Sequence, residues 1–186
     1  MHFSKIVLFS LIGISLSACL TDSSQKEENL ADCIKGWSLN QRGQYTNALN
    51  LYDRCIEYGN LTEGNLSRTY RNIGIAYRGL KEYEKSIDYF NKSMSFKPYD
   101  KQNDYINRGN SWSDLKQYQK ALNDYSMALE IAPRNGQAMY NRALVYERMG
   151  RLDDALSEYK LAVKNGYTSI DVINAIRRMN FLYGKT

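Results

Sequence analysis

The feature that most restricts the fold of this 186-residue chain is internal self-similarity at a spacing close to 34 residues. The stretch from Gln102 to Asn135 recurs with starts at Ser67, at Gly136 and, in a more degenerate copy, near Asn29. With each start counted as position 1, position 8 reads Gly36, Gly74, Gly109 and Ala143. Position 20 reads Ala48, Ser86, Ala121 and Ala155, and position 27 reads Cys55, Ser93, Ala128 and Ala162. All of these are small, whereas position 24 is aromatic every time: Tyr52, Phe90, Tyr125 and Tyr159. The only two prolines, Pro98 and Pro133, both fall at position 32. A helix must stop there, because proline lacks the N–H and clashes with the preceding turn. Small side chains let two helices approach closely, and the large rings fill the space beside them. No unit of this size buries its apolar face alone, so its stability comes mainly from its neighbours in a nearly one-dimensional stack.

The third copy carries Tyr105 at position 4, Gly109 at 8, Trp112 at 11, Leu115 at 14, Tyr118 at 17, Ala121 at 20, Tyr125 at 24, Ala128 at 27 and Pro133 at 32. It resembles the tetratricopeptide repeat, a 34-residue helix–turn–helix unit. The resemblance implies an all-α chain: a right-handed superhelical stack of about four helix–turn–helix repeats, over 29–62, 67–100, 102–135 and 136–167, plus a C-terminal capping helix over 168–186. The extra residues, Glu63 to Leu66 and Lys101, are expected to lie between units. The first copy departs from the pattern at Asp32, Lys35 and Asn60 and reads as an atypical end unit. After the fourth copy, Gly166 is a reasonable helix terminator, and Thr168-Ser169-Ile170-Asp171 has the form of a capping start. Val172, Ile173, Ile176, Met179 and Leu182 then share one helical face, with Arg177 and Arg178 off it. Such a helix covers the apolar end of the last repeat; a partner-binding amphipathic helix is the alternative.

The N-terminus has a different character. One cation, Lys5, precedes an apolar run from Ile6 to Leu16, with no acidic residue in the first eighteen positions. This is the layout of a signal peptide. The run is about half the roughly 20 apolar residues that a membrane-spanning helix needs. Leu16-Ser17-Ala18-Cys19 resembles the lipobox of lipoproteins from Gram-negative bacteria. That resemblance implies removal of residues 1–18, lipidation of Cys19 and a membrane partner reached through the lipid; an ordinary signal peptide with a chance cysteine is the alternative. Stable anchoring takes at least two acyl chains, which a typical lipoprotein supplies. Leu20 follows the cysteine where an Asp would favour inner-membrane retention, so the expected place is the cell envelope, on the outer membrane facing the periplasm. The polar stretch from Leu20 to Glu28 reads as a flexible tether within 19–28.

Charge and composition exclude more than they suggest. The net charge of +5 falls by one when Lys5 leaves, and charges of both signs alternate along the chain. No clustered basic stripe suits a phosphate backbone, so no nucleic-acid partner is expected. The only histidine, His2, departs with the signal peptide. Its loss excludes Ser-His-Asp and Cys-His catalysis, histidine-containing zinc sites and a histidine pH switch. There is no glycine-rich phosphate-binding pattern. Neither catalysis, a cofactor nor a metal is expected.

Cys33 and Cys55 remain, one on each predicted helix of the first repeat. In an exported chain they are candidates for a disulfide, closing a loop worth about 3 kcal/mol on the chain-entropy model. In the family resembled, position 5 usually faces the groove and position 27 the partner helix, which threatens to hold the α-carbons beyond the roughly 7 Å limit. The alternative is a buried Cys55 with a free Cys33.

Stacks of this family bind peptides or partner proteins in a concave groove lined by positions 2, 5, 9, 12 and 13. Carried over, these are Arg68, Arg71, Ile75 and Arg78; Asn103, Ile106, Asn110, Ser113 and Asp114; and Gln137, Tyr140, Leu144, Glu147 and Arg148. The mixture suits a peptide with apolar and acidic groups. One subgroup clamps a C-terminal carboxylate; Asn107 fits that pattern and Arg71 could replace its first lysine, but Ile75, Gln137 and Asn141 depart from it, so the clamp is not expected. The resemblance implies an envelope adaptor or scaffold, for pilus, secretin or cell-wall machinery. A lipoprotein that assembles only with itself is the alternative; the sequence leaves the oligomeric state open.

Overall fold

The computed structural model describes residues 30–57, 61–96 and 101–182; residues 1–29, including Cys19, and Pro98 lie outside them. All regular structure among the described residues is α-helical. The chain divides into two compact units, residues 1–62 and 63–186.

The first unit holds one hairpin, α1 (30–41) and α2 (Tyr45–Glu57). The ring of Tyr52 lies directly over Gly36, where a Cβ would come within 2.8 Å of it. Cys33 and Cys55 are joined as a disulfide with α-carbons 5.6 Å apart, so the feared separation does not arise. Arg54 reaches Asp32 across the hairpin at 2.9 Å.

The second unit holds three hairpins and a closing helix: α3 (Glu63–Gly79) with α4 (Tyr83–Ser95), α5 (Lys101–Asp114) with α6 (Tyr118–Ile131), α7 (Gly136–Arg148) with α8 (Leu152–Lys164), and α9 (Ile170–Leu182). Each helix packs on the next, and α5 also touches α3 and α7. Glu63 to Leu66, expected as a connection, instead form the first turn of α3, and Lys101 opens α5.

The small and aromatic positions explain the hairpins. Phe90 and Tyr125 sit over Gly74 and Gly109, at 2.9 Å and 2.8 Å from where a Cβ would stand. Ala143 and Tyr159 share the last core cluster with Ala155 and Val172. Ser86, Ala121, Ala155, Ser93, Ala128 and Ala162 are all fully buried.

Each hairpin turn places position 15 in the left-handed region: Gly43 at φ 74°, Lys81 at 65°, Lys116 at 60° and Gly150 at 75°. The following N–H closes a six-residue ring onto the preceding helix, as from Glu82 to the Tyr77 carbonyl at 2.9 Å and from Gln117 to that of Trp112 at 2.9 Å. This satisfies carbonyls that a helix end otherwise leaves open.

At the far end α8 stops at Lys164, and Gly166 follows at φ 88°. The Val172 N–H donates to Ser169 Oγ at the start of α9. Val172, Ala175 and Met179 are buried against α8, with Ile173 and Ile176 beside them. α9 is thus the capping helix that the sequence pattern requires.

Candidate functional site

In the second unit, α3, α5 and α7 stand side by side and enclose a cleft of about 260 Å³. Its floor is built around Asn110. The Tyr125 hydroxyl donates to Asn110 Oδ1 at 2.7 Å, and Asn141 Nδ2 donates to the same oxygen at 3.0 Å. With both lone pairs of that carbonyl engaged, what Asn110 offers a visitor is its amide N–H pair. Burial pushes the Tyr125 hydroxyl far above its ordinary range, so it stays a neutral donor and the arrangement keeps its sense at every physiological pH. Gln137 and Leu144 complete the walls.

One rim of the cleft is closed by pairs that cross from helix to helix. Arg78 Nε donates to Asp114 Oδ2 at 2.8 Å, and Arg148 Nη1 donates to Ser113 Oγ at 2.6 Å. One step further along the stack, Arg178 of α9 pairs with Glu147 of α7, which also accepts from the Tyr159 hydroxyl at 2.7 Å. In the first two, positions 12 and 13 of adjacent repeats meet; in the third, Arg178 of the capping helix meets Glu147 at position 12.

A second polar system lies deeper, between α3, α4 and α5. Asp104 is completely buried; Arg71 donates to it through Nε at 2.6 Å and Nη2 at 3.1 Å. Ser93 Oγ lies 3.1 Å from each carboxylate oxygen, and Ser67 is hydrogen-bonded to Ser93.

The groove residues expected from the sequence are therefore dispersed. Arg78, Asn110, Ser113, Asp114, Gln137, Leu144 and Arg148 do converge on the cleft. Arg68 is exposed on α3, and Ile75 and Asn103 are half-buried, outside that cleft. Arg71 is committed to Asp104 and serves the packing between repeats. Ile106 is only 3% exposed, in a core cluster with Ala128 and Ala138, so it has no surface for a ligand. Tyr140 is half-buried and packs between Tyr159 and Tyr167, with centroids 5.7 Å and 5.0 Å away, against the core cluster that α9 closes and outside that cleft. Tyr125 and Asn141 are the cleft residues that the sequence did not place there. The sequence carries no general signal for the former: Tyr125 at position 24 pairs with Asn110 at position 9, but the repeats with Tyr52 and Tyr159 at position 24 have Trp37 and Leu144 there.

The described residues contain no group of three or more His, Cys, Asp or Glu arranged to hold a metal ion. Among them, no helix is long and apolar enough to cross a membrane.

Family models described as tetratricopeptide repeat match residues 35–98, 103–135 and 125–157. Among solved structures, the chain is similar to MamA, residues 41 to the end, from Desulfovibrio magneticus RS-1. That likeness has 20% identity and a TM-score of 0.68, covering 84% of this chain and 86% of that one. The Sgt2 repeat domain from Aspergillus fumigatus aligns at 21% identity and a TM-score of 0.60, over 68% of this chain and 86% of its own. The first repeat domain of Spaghetti (RPAP3), bound to the HSP90 peptide SRMEEVD, aligns at 19% identity and a TM-score of 0.60, over 68% and 99%.

Proposed function

This chain is a tetratricopeptide-repeat protein, and we propose from that premise that it is a non-catalytic adaptor, held at the envelope membrane by lipid on Cys19, whose cleft between α3, α5 and α7 takes an extended peptide segment of a partner. The observation that carries this reading is the orientation of Asn110. Tyr125 and Asn141 saturate its carbonyl and leave its amide N–H groups for an acceptor, which is what a peptide backbone or a carboxylate supplies. The similar repeat domain of Spaghetti holds a peptide ending in acidic residues, which supports a peptide as the ligand class. Arg148, exposed at the rim, adds an electrostatic preference for an acidic group.

The envelope part of the proposal rests on the signal-peptide layout and the Leu16-Ser17-Ala18-Cys19 sequence. A disulfide between Cys33 and Cys55 is consistent with an oxidising compartment. Export removes residues 1–18, and the outer membrane facing the periplasm is the proposed place.

Crosslinking in intact cells, with wild type compared against Asn110→Ala with Arg148→Ala, tests the adaptor reading. Arg71 is left intact, because changing it would disturb Asp104 and the fold. The expected result is a protein captured by the wild type and lost by the variant, with the helical circular dichroism retained and stability lowered by about 1–3 kcal/mol, because the buried Tyr125 hydroxyl loses its acceptor. Capture of the same set by both, or only of further copies of the chain, would overturn the groove reading. Failure of Cys19 to incorporate labelled fatty acid would remove the anchor.

A further inference from the structure

Leu30, Ile34 and Trp37 stand on α1 at spacings of four and three and are 44%, 61% and 51% exposed. That spacing puts them on one stripe of the helix. Other faces of α1 are engaged within the hairpin: Gly36 lies under the Tyr52 ring and Cys33 is bonded to Cys55. The cavity described in this unit is lined by Lys35, Leu39, Asn47, Asn50, Leu51 and Arg54, and none of the three stripe residues contributes to it. They form a ridge beside that cavity. A ridge of Leu, Ile and Trp suits a surface that can deform around it.

The chain itself indicates which surface. Leu30 follows Cys19 by eleven residues, and ten connecting residues reach at most about 35 Å even when fully extended. Of the described fold, α1 is the helix nearest the anchor in the chain. Over residues 30–57, Asp32, Asp53 and Glu57 balance Lys35, Arg42 and Arg54, and the connecting residues add Asp22, Glu27 and Glu28 against Lys26, so charge does not draw this region to anionic headgroups. Proximity then has to supply the driving force. A short tether does so by raising the local concentration of the ridge at the bilayer to about the millimolar range. Tryptophan favours the boundary between headgroups and acyl chains, where its apolar body and polar N–H are both accommodated.

We propose that the Leu30–Ile34–Trp37 ridge of α1 docks into the headgroup boundary of the membrane that carries the lipid anchor, so the bilayer is its occupant. This rests on the reading of Cys19 as the lipidated residue. Docking turns a one-point attachment into a two-point one and lays α1 along the lipid surface.

The test uses the mature chain from Cys19 onward, with the Cys33–Cys55 bond intact. Cys19 is then the sole free thiol and couples to a maleimide lipid in phosphatidylethanolamine–phosphatidylglycerol vesicles. Trp112→Phe leaves Trp37 as the only tryptophan. The expected result is a blue shift of Trp37 emission and its loss when brominated lipids are included. Both effects should vanish in Leu30→Glu with Ile34→Glu while the helical circular dichroism is unchanged. The reciprocal Trp37→Phe chain, reporting Trp112, should show no bromolipid quenching. Trp37 that stays open to aqueous iodide and unquenched by bromolipid overturns the proposal. So does a blue shift that depends on protein density without bromolipid quenching, which would assign the ridge to a second copy. Fatty-acid labelling of Cys19 in cells is scored separately, so loss of the anchor reading and loss of the docking give different results.

Discussion

Replacing Asp104 by alanine isolates what holds the second and third repeats together. Its carboxylate is completely buried and Arg71 is 15% exposed, so neither group has much water to fall back on. Two hydrogen bonds from Arg71, at 2.6 Å and 3.1 Å, and the Ser93 hydroxyl satisfy the charge. Removing Asp104 takes the buried carboxylate from a guanidinium that is itself largely out of water, and breaking a buried pair from one side costs about 3–5 kcal/mol. Against a domain stability of about 5–15 kcal/mol this is a large fraction. Arg71→Met combined with Asp104→Leu removes both charges and is expected to recover most of the loss, because apolar replacement of a buried pair is often neutral. Urea unfolding followed by far-ultraviolet circular dichroism measures the wild type, Asp104→Ala and the double variant. The reasoning is refuted if Asp104→Ala costs less than about 1 kcal/mol, the range of an exposed pair. It is equally refuted if the double variant is no more stable than Asp104→Ala.

Three further outcomes follow from the geometry. Lys116→Gly relieves a left-handed residue at φ 60°, a conformation that costs an L-residue about 1–2 kcal/mol, and is expected to raise the urea midpoint, while Lys120→Gly within α6 lowers it. Gly109→Ala drives a methyl to within 2.8 Å of the Tyr125 ring; it should lose about 1–3 kcal/mol by thermal unfolding and also weaken crosslinking through the cleft, because the Tyr125 hydroxyl is pushed off Asn110. Burial raises the hydroxyls of Tyr52, Tyr125 and Tyr159 far above 10, so above that pH the unfolded chain releases protons that the folded chain keeps. Stability should therefore be flat through neutral pH and fall above about pH 10, by roughly 1.4 kcal/mol per pH unit for each tyrosine, with a shallower fall in Tyr125→Phe.

The repeat frame was legible because it is written in residue size. Glycine at position 8 and an aromatic at position 24 are two halves of one contact, and Gly36 with Tyr52, Gly74 with Phe90, and Gly109 with Tyr125 all make it. The capping helix was legible for a similar reason, since its apolar period and its Ser169 cap are local signals. The polar pairs were not. Arg71 and Asp104 are 33 residues apart, Arg78 and Asp114 are 36, and Ser113 and Arg148 are 35. Pairing rules that work within a helix span three or four residues, so each arginine reads alone as a cation waiting for a ligand. A one-repeat offset turns it into a strut between neighbours. The left-handed turn residue was hidden differently: Gly43 and Gly150 announce it, but Lys81 and Lys116 at the same position conceal the period.

These pairs rank the arginines as ligand groups. An acidic side chain that approached Arg71 would have to displace a fully buried carboxylate, leaving Asp104 without its counter-charge. At Arg78 it would compete with Asp114, a pair half open to solvent and so worth little. Arg148 is held by the neutral Ser113 hydroxyl, which a carboxylate outcompetes because a charge-assisted bond is roughly twice as strong as a neutral one. Arg148 stands on the same cleft as Asn110, whose carbonyl is engaged and whose amide N–H pair is left for an acceptor. An acidic residue of a bound segment is thus drawn to the α5–α7 side of the cleft, one repeat beyond where the order of arginines in the sequence would put it.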